Sequence, residues 1–182
     1  MRASLIPHAD TVGSPIESIE VEIRRNGDRL WLTFLLWGNT ARVLWPRPTG
    51  PVTIDALANA GRKDELWRHT CCEAFIATDD GYREFNFATT GQWASYSFSG
   101  YRQNMAPAPE AAELVSLEGR GGYNELGFVL ELPPEARRLA LSAVIEDIDG
   151  TISYWALAHP PGKPDFHHPD SFALTLPPLE TA

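Results

Sequence analysis

The stretch CCEAFIATDDGYREFNF, residues 71–87, decides the fold. Successive side chains of a strand point to opposite faces, so Cys72, Ala74 and Ile76 fall on one side and Cys71, Glu73 and Phe75 on the other. After the turn signal Asp79-Asp80-Gly81 the alternation resumes, with Phe85 and Phe87 on the apolar side and Tyr82, Glu84 and Asn86 opposite. A hairpin is expected whose apolar face enters a core. Its other face gathers Glu73, Glu84 and Asn86.

Working outward, the same period of two recurs almost everywhere and the helical period hardly at all. Ile19, Val21 and Ile23 alternate with polar residues, and Asn26-Gly27-Asp28 then turns the chain into Leu30, Leu32, Phe34 and Leu36, which reads as a second hairpin. Trp31, Trp37 and Trp45 are expected on its far face, under the Pro-rich crossover that follows. Residues 53–63 are the one plausible place for a short helix or an irregular crossover. Downstream, Thr89-Thr90-Gly91 turns into a strand over Trp93–Tyr101, a Pro/Ala loop leads to strands near Leu114–Leu117 and Leu126–Leu132, and Asp149-Gly150 joins two more. Trp155, Leu157 and His159 share one face of the last of these, and a short strand Phe172–Leu176 closes the chain. Turns every eight to twelve residues between such strands predict an all-β fold, an antiparallel sandwich.

Composition agrees and sets limits. The chain has 182 residues, 43% hydrophobic and 21% charged, with 6 Trp, 5 Tyr and 8 Phe beside 14 Gly and 15 Pro. This length supplies a full core without disulfides or structural metal. A single domain over residues 1–182 is expected, its core running from about 17 to 176. The net charge of −9 works against nucleic acid and anionic membrane as partners, which would repel the chain at long range. No run reaches the roughly 20 apolar residues of a membrane span, and residues 1–10 lack a secretory pattern, so the cytoplasm is the expected compartment. The adjacent Cys71 and Cys72 point to opposite faces and are expected as reduced packing residues.

Several motifs in order carry a family resemblance. The runs Leu66-Trp67-Arg68-His69-Thr70-Cys71-Cys72-Glu73-Ala74-Phe75-Ile76, Tyr82–Phe87 through Gly91–Tyr96, Gly100-Tyr101-Arg102, Ser153–Leu157 and Pro164–His168 resemble the DOMON-like proteins related to family 9 carbohydrate-binding modules. The resemblance spans about Leu30 to Leu176. It implies an immunoglobulin-like jelly-roll sandwich that binds a ligand rather than transforming it. In the sugar-binding members aromatic rings stack on the sugar and polar groups bond its hydroxyls, often with a structural calcium; haem-binding members use Met and His axial ligands.

The residues themselves offer a matching constellation. Glu73, Glu84 and Asn86, with Trp93, Tyr101, Arg102 and Trp155 nearby in the pattern, combine stacking surface with hydrogen-bonding groups. The expected function is therefore a non-catalytic binding domain for a small polyhydroxylated ligand, a carbohydrate in the first instance, with His159, Lys163, Asp165 and His167 along the rim. Four other readings compete with it. Glu73 and Glu84 could be the carboxyl pair of a glycoside hydrolase if about 5 Å or about 6.5–9.5 Å apart. His159, Asp165, His167 and His168 could ligate a transition metal, though their spacing fits no strong zinc pattern. Met105 could pair with a histidine on haem. A partner-binding adaptor would instead need a broad apolar patch. No cofactor is expected.

Overall fold

In the computed structural model, residues 1–133 and 135–176 are described; Pro134 and residues 177–182 of the expected unit lie outside them. The described residues form β1 (Arg2–Pro7), β2 (Ile16–Asn26), β3 (Arg29–Gly38), β4 (Cys71–Thr78), β5 (Gly81–Phe87), β6 (Trp93–Phe98), β7 (Ala106–Pro107), β8 (Ala112–Arg120), β9 (Tyr123–Glu131), β10 (Arg138–Glu146), β11 (Ile152–Ala156) and β12 (Leu174–Thr175). A five-residue helix α1 (Ile54–Ala58) falls where the one short helix was expected, with the Thr53 hydroxyl capping the Ala56 amide. The turn residues act as read. Gly27 adopts φ +61° between β2 and β3, and Gly81 adopts φ +139° at the β4–β5 turn, against the Phe98 carbonyl, where a side chain has no room.

The strands lie in the order β7-β6-β5-β4-β10-β11-β1-β2-β3-β9-β8, with β12 beside β10, and every ladder is antiparallel. The sheet curls on itself at β1, which pairs with β2 through Arg2–Leu5 and with β11 through Ile6 and Pro7. Its two halves thereby face each other across one apolar layer. Ile19, Val21, Leu32, Phe34 and Phe128 from one half meet Cys72, Ala74, Ile76, Phe85, Phe87, Leu141 and Trp155 from the other. This is the all-β sandwich that the alternation implies, and each fully buried large side chain contributes about 1.5–3 kcal/mol to it.

The first strand was not foreseen. Of its residues only Leu5 is buried, so no apolar alternation announces it. The tryptophans of β3 have separate local partners: Arg24 lies 4.7 Å above the ring of Trp31, and Trp37 packs on Tyr123 at 5.6 Å. Trp45 packs against the main core and donates to the Thr40 carbonyl.

The half made by β6, β5, β4, β10 and β11 carries a second apolar cluster on its outer face. Cys71, Phe75, Tyr82, Ala94, Tyr96, Phe98, Ala140, Val144 and Ala156 are joined there by Leu66 from before β4 and by Phe166 and Phe172 from the C-terminal segment. The two cysteines divide between the clusters, Cys72 inside and Cys71 outside, and both are free.

Candidate functional site

Cross-strand register fixes what shares this outer face. Glu73 lies opposite Asn86 on β5 and Ser142 on β10, while Glu84 lies opposite Phe75 on β4 and Tyr96 on β6. The expected trio of Glu73, Glu84 and Asn86 is thus brought together, and all three side chains are buried. Loops cover them on three sides: the turn holding Trp67, the loop after β6 with Arg102 and Met105, and the segment Pro164-Phe166-His167. Between sheet and loops remains a cavity of about 450 Å³, lined by these residues with Glu73, Glu84, Phe98, Val144 and Tyr154.

The carboxyls are held by neutral donors. Ser142 Oγ donates to Glu73 Oε2 at 3.0 Å and Cys71 Sγ to Glu73 Oε1 at 3.4 Å; Asn86 Nδ2 donates to Glu84 Oε1 at 2.7 Å. Among the described residues Glu84 Oε2 has no hydrogen bond, only His167 Nε2 at 3.7 Å. Burial, reinforced by the charge of Glu84, lifts the Glu73 carboxyl to about 8, and burial lifts Glu84 to about 7 against the lowering effect of Asn86. Near neutrality the pair therefore holds protons that ordinary glutamates have lost. Burial also raises the Cys71 thiol, next to Glu73, so it is no reactive thiolate.

A clasp ties the loop after β6 to the C-terminal segment beside the cavity. Tyr101 Oη donates to Asp165 Oδ2 at 2.6 Å, Arg102 Nη2 donates to Asp165 Oδ1 at 2.9 Å, and the His167 amide donates to the same carboxylate. These bonds outweigh the opposing effect of burial and hold Asp165 below the usual carboxylate range. Arg102 itself sits at φ +53°, a left-handed conformation costly for a residue with a side chain. Its amide donates to Tyr82 Oη, which also lies 2.8 Å from His167 Nδ1. The other ring nitrogen, Nε2, lies 3.7 Å from Glu84 Oε2. Burial, aided by the Arg102 charge, pushes His167 down to about 4, so the ring is neutral at neutral pH.

Of the residues expected to meet a ligand, Glu73, Glu84, Arg102 and His167 line the cavity; Asn86 braces Glu84 from beneath, and Tyr101 and Asp165 form the clasp. Trp93 and Trp155 are corrections. Trp93, Phe87, Cys72, Ala143 and Trp155 occupy one continuous cross-strand row on the inner face, so both tryptophans point away from the cavity. Alternation within β6 and β11 was sound, but which alternate set faced outward depended on pairing with β5 and β10. Their neighbours take the outer positions: Tyr154 lines the cavity and Ala94 packs beneath it.

His159 and Lys163 are also displaced from the rim. His159 Nε2 lies 2.9 Å from the Ile6 carbonyl and its ring packs on His8 and Phe166, while Lys163 is exposed and does not line the cavity. The residues that sequence reasoning missed are Trp67, Phe98, Val144, Tyr154, Pro164 and Phe166. All but Phe98 and Val144 fall inside quoted motifs, but only contacts between distant segments select them.

The metal reading needs a donor set that does not come together among the described residues. Among the described residues no group of three or more His, Cys, Asp and Glu converges to hold a metal ion. The nitrogens of His167 face Tyr82 and Glu84, and His159 Nε2 faces a backbone carbonyl, so neither ring is turned to pair with Met105. Among the described residues no helix is long and apolar enough to cross a membrane. No protein-family model matches the chain, and no curated protein matches it significantly.

Proposed function

We propose that the outer-face cavity binds a small polyhydroxylated molecule, a sugar or sugar-like polyol, without chemical change. The observation that carries this reading is the pair of buried carboxyls of Glu73 and Glu84 in a cavity walled by Trp67, Tyr154 and Phe166. A protonated carboxyl both donates and accepts, which suits hydroxyls that do the same, while ring faces suit the C–H side of a sugar. Arg102 stands at the mouth for an outer hydroxyl. The DOMON-like resemblance points the same way. The net charge of −9 disfavours nucleic acid, and the cytoplasm is the proposed compartment.

The test is calorimetry and thermal shift with a panel of mono- and disaccharides. Saturable binding that weakens about tenfold or more in Trp67→Ala, with Trp155→Ala binding as the parent does, supports the site. If no sugar in the panel binds or stabilises the protein, the reading falls. Product release from any sugar would make the protein an enzyme instead.

A further inference from the structure

The polar groups at the floor of the cavity are unequally divided between donors and acceptors. Glu73 and Glu84 present four carboxyl oxygens, and the buried Asn86 Oδ1 beside them has no hydrogen-bond partner. Against these stand the Ser142 hydroxyl, the Cys71 thiol, the Asn86 amide and the protons that the raised carboxyls themselves hold. Glu84 Oε2 lines the cavity with no hydrogen bond, on a side chain only 6% exposed. No arginine or lysine makes an ion pair with either glutamate among the described residues; the nearest guanidinium, Arg102, is bound to Asp165 at 2.9 Å. The cavity floor therefore offers more acceptor positions than donors to a molecule entering it.

We propose that the ligand carries a protonated amine, seated on Glu73 and Glu84 beneath the rings of Trp67, Tyr154 and Phe166. This deepens the polyol reading and rests on it: the substrate class becomes a polyhydroxylated amine such as an amino sugar. An ammonium brings two or three N–H donors where a hydroxyl brings one, and aromatic faces attract a cation as well as a C–H surface. A compact metal cation is the poorer occupant, since no third ligand converges on the pair.

The titratable and charged groups facing the carboxyls are Cys71 from β4, Tyr82 from β5, Tyr154 from β11, Arg102 from the loop after β6, and Asp165 and His167 from the C-terminal segment. Arg102 and Asp165 offset each other, and His167 is neutral. An arriving ammonium therefore favours ionised Glu73 and Glu84, and binding expels protons that the empty pair holds near neutral pH. Affinity rises with pH up to about 8, the highest value to which the pair is lifted.

Two matched pairs test this by calorimetry at pH near neutrality: N-methylglucamine against sorbitol, and glucosamine against glucose. The amine of at least one pair binds about tenfold tighter or more than its neutral partner. Titration in buffers of different ionisation enthalpy shows protons released with N-methylglucamine, and Glu84→Gln, which keeps the oxygen that Asn86 bonds, erases the preference. The pairs are compared on the unsubstituted protein, so the outcome does not hang on how the variant folds. Equal or tighter binding of sorbitol and glucose overturns the amine while leaving the polyol site standing. Failure of all four, and of the wider sugar panel, removes both.

Discussion

The inner and outer faces of β4, β5, β6, β10 and β11 are made from alternate residues of the same five segments, and they close in different ways. On the inner face Phe87 stacks on Phe128 at 4.6 Å and on Phe85 at 6.3 Å, with Cys72, Ala143 and Trp155 filling the row beside them. Another half-sheet completes that layer. On the outer face the cover is three irregular loops, and loops do not mesh with a pleated surface as a second sheet does. The mismatch leaves a hollow, and below it Glu73, Glu84 and Asn86 lie among Phe98 and Val144. A dry layer and a ligand-sized cavity are thus separated by the thickness of one sheet.

Replacing one aromatic on each face should split stability from binding. Trp155→Ala empties a fully covered inner position and should cost about 3–5 kcal/mol in urea unfolding, with no change in affinity for a cavity ligand. Trp67→Ala removes a half-buried cover residue and should cost about 1 kcal/mol or less while weakening the ligand. If Trp155→Ala lost the ligand while still folded, the inner face would not be purely structural.

The second effect is on pH. Glu73 and Glu84 titrate above their ordinary value of 4.5 in the folded chain, so the native state holds protons that the unfolded chain has released. Their contribution is largest in acid and is lost as pH rises to about 8. His167 works the other way: folded it titrates at about 4, below its ordinary 6.5, so its contribution grows across that interval and then stays constant. Between pH 6.5 and about 8 the carboxyls act alone and stability falls with pH. Glu84→Gln should flatten this slope and be about 1–3 kcal/mol more stable than the parent at the alkaline end. A parent whose unfolding free energy is level across that window would show that the outer face is wetter than its burial implies.

The smallest effect belongs to the clasp. Asp165→Asn weakens a half-exposed ion pair and should change stability by about 0.5–1 kcal/mol at most. Its sharper readout is kinetic: stopped-flow release of a bound ligand should quicken several-fold, because the Tyr101 and Arg102 contacts that tie the two covering loops together are weakened. Unchanged release would show that ligands leave by another route.

The two faces also differ in how far they could be read from sequence. Alternation alone placed Phe85 and Phe87 inward and Glu73, Glu84 and Asn86 outward, because one hairpin with a clear turn carries all five. For Trp93 and Trp155 the same rule gave parity without direction. Direction comes from hydrogen-bonded register with Phe87 and Ala143, partners distant in the chain in the case of β10 and β4. Tyr101 could not be assigned by parity, since β6 ends at Phe98 and the chain then turns through left-handed Arg102 and Asn104. The loop residues Trp67 and Phe166 belong to the site through tertiary packing alone, which has no period.

β1 has a consequence for folding failure. It is the only strand joining the two halves among the described residues, yet Leu5 is its only buried residue. If it detaches, two inner strands, β2 and β11, become open edges at once, each presenting unpaired amides and carbonyls to other chains. A strand anchored by one buried side chain thus guards two sites for intermolecular strand pairing, and substitutions at Leu5 should appear first as aggregation rather than as lost ligand.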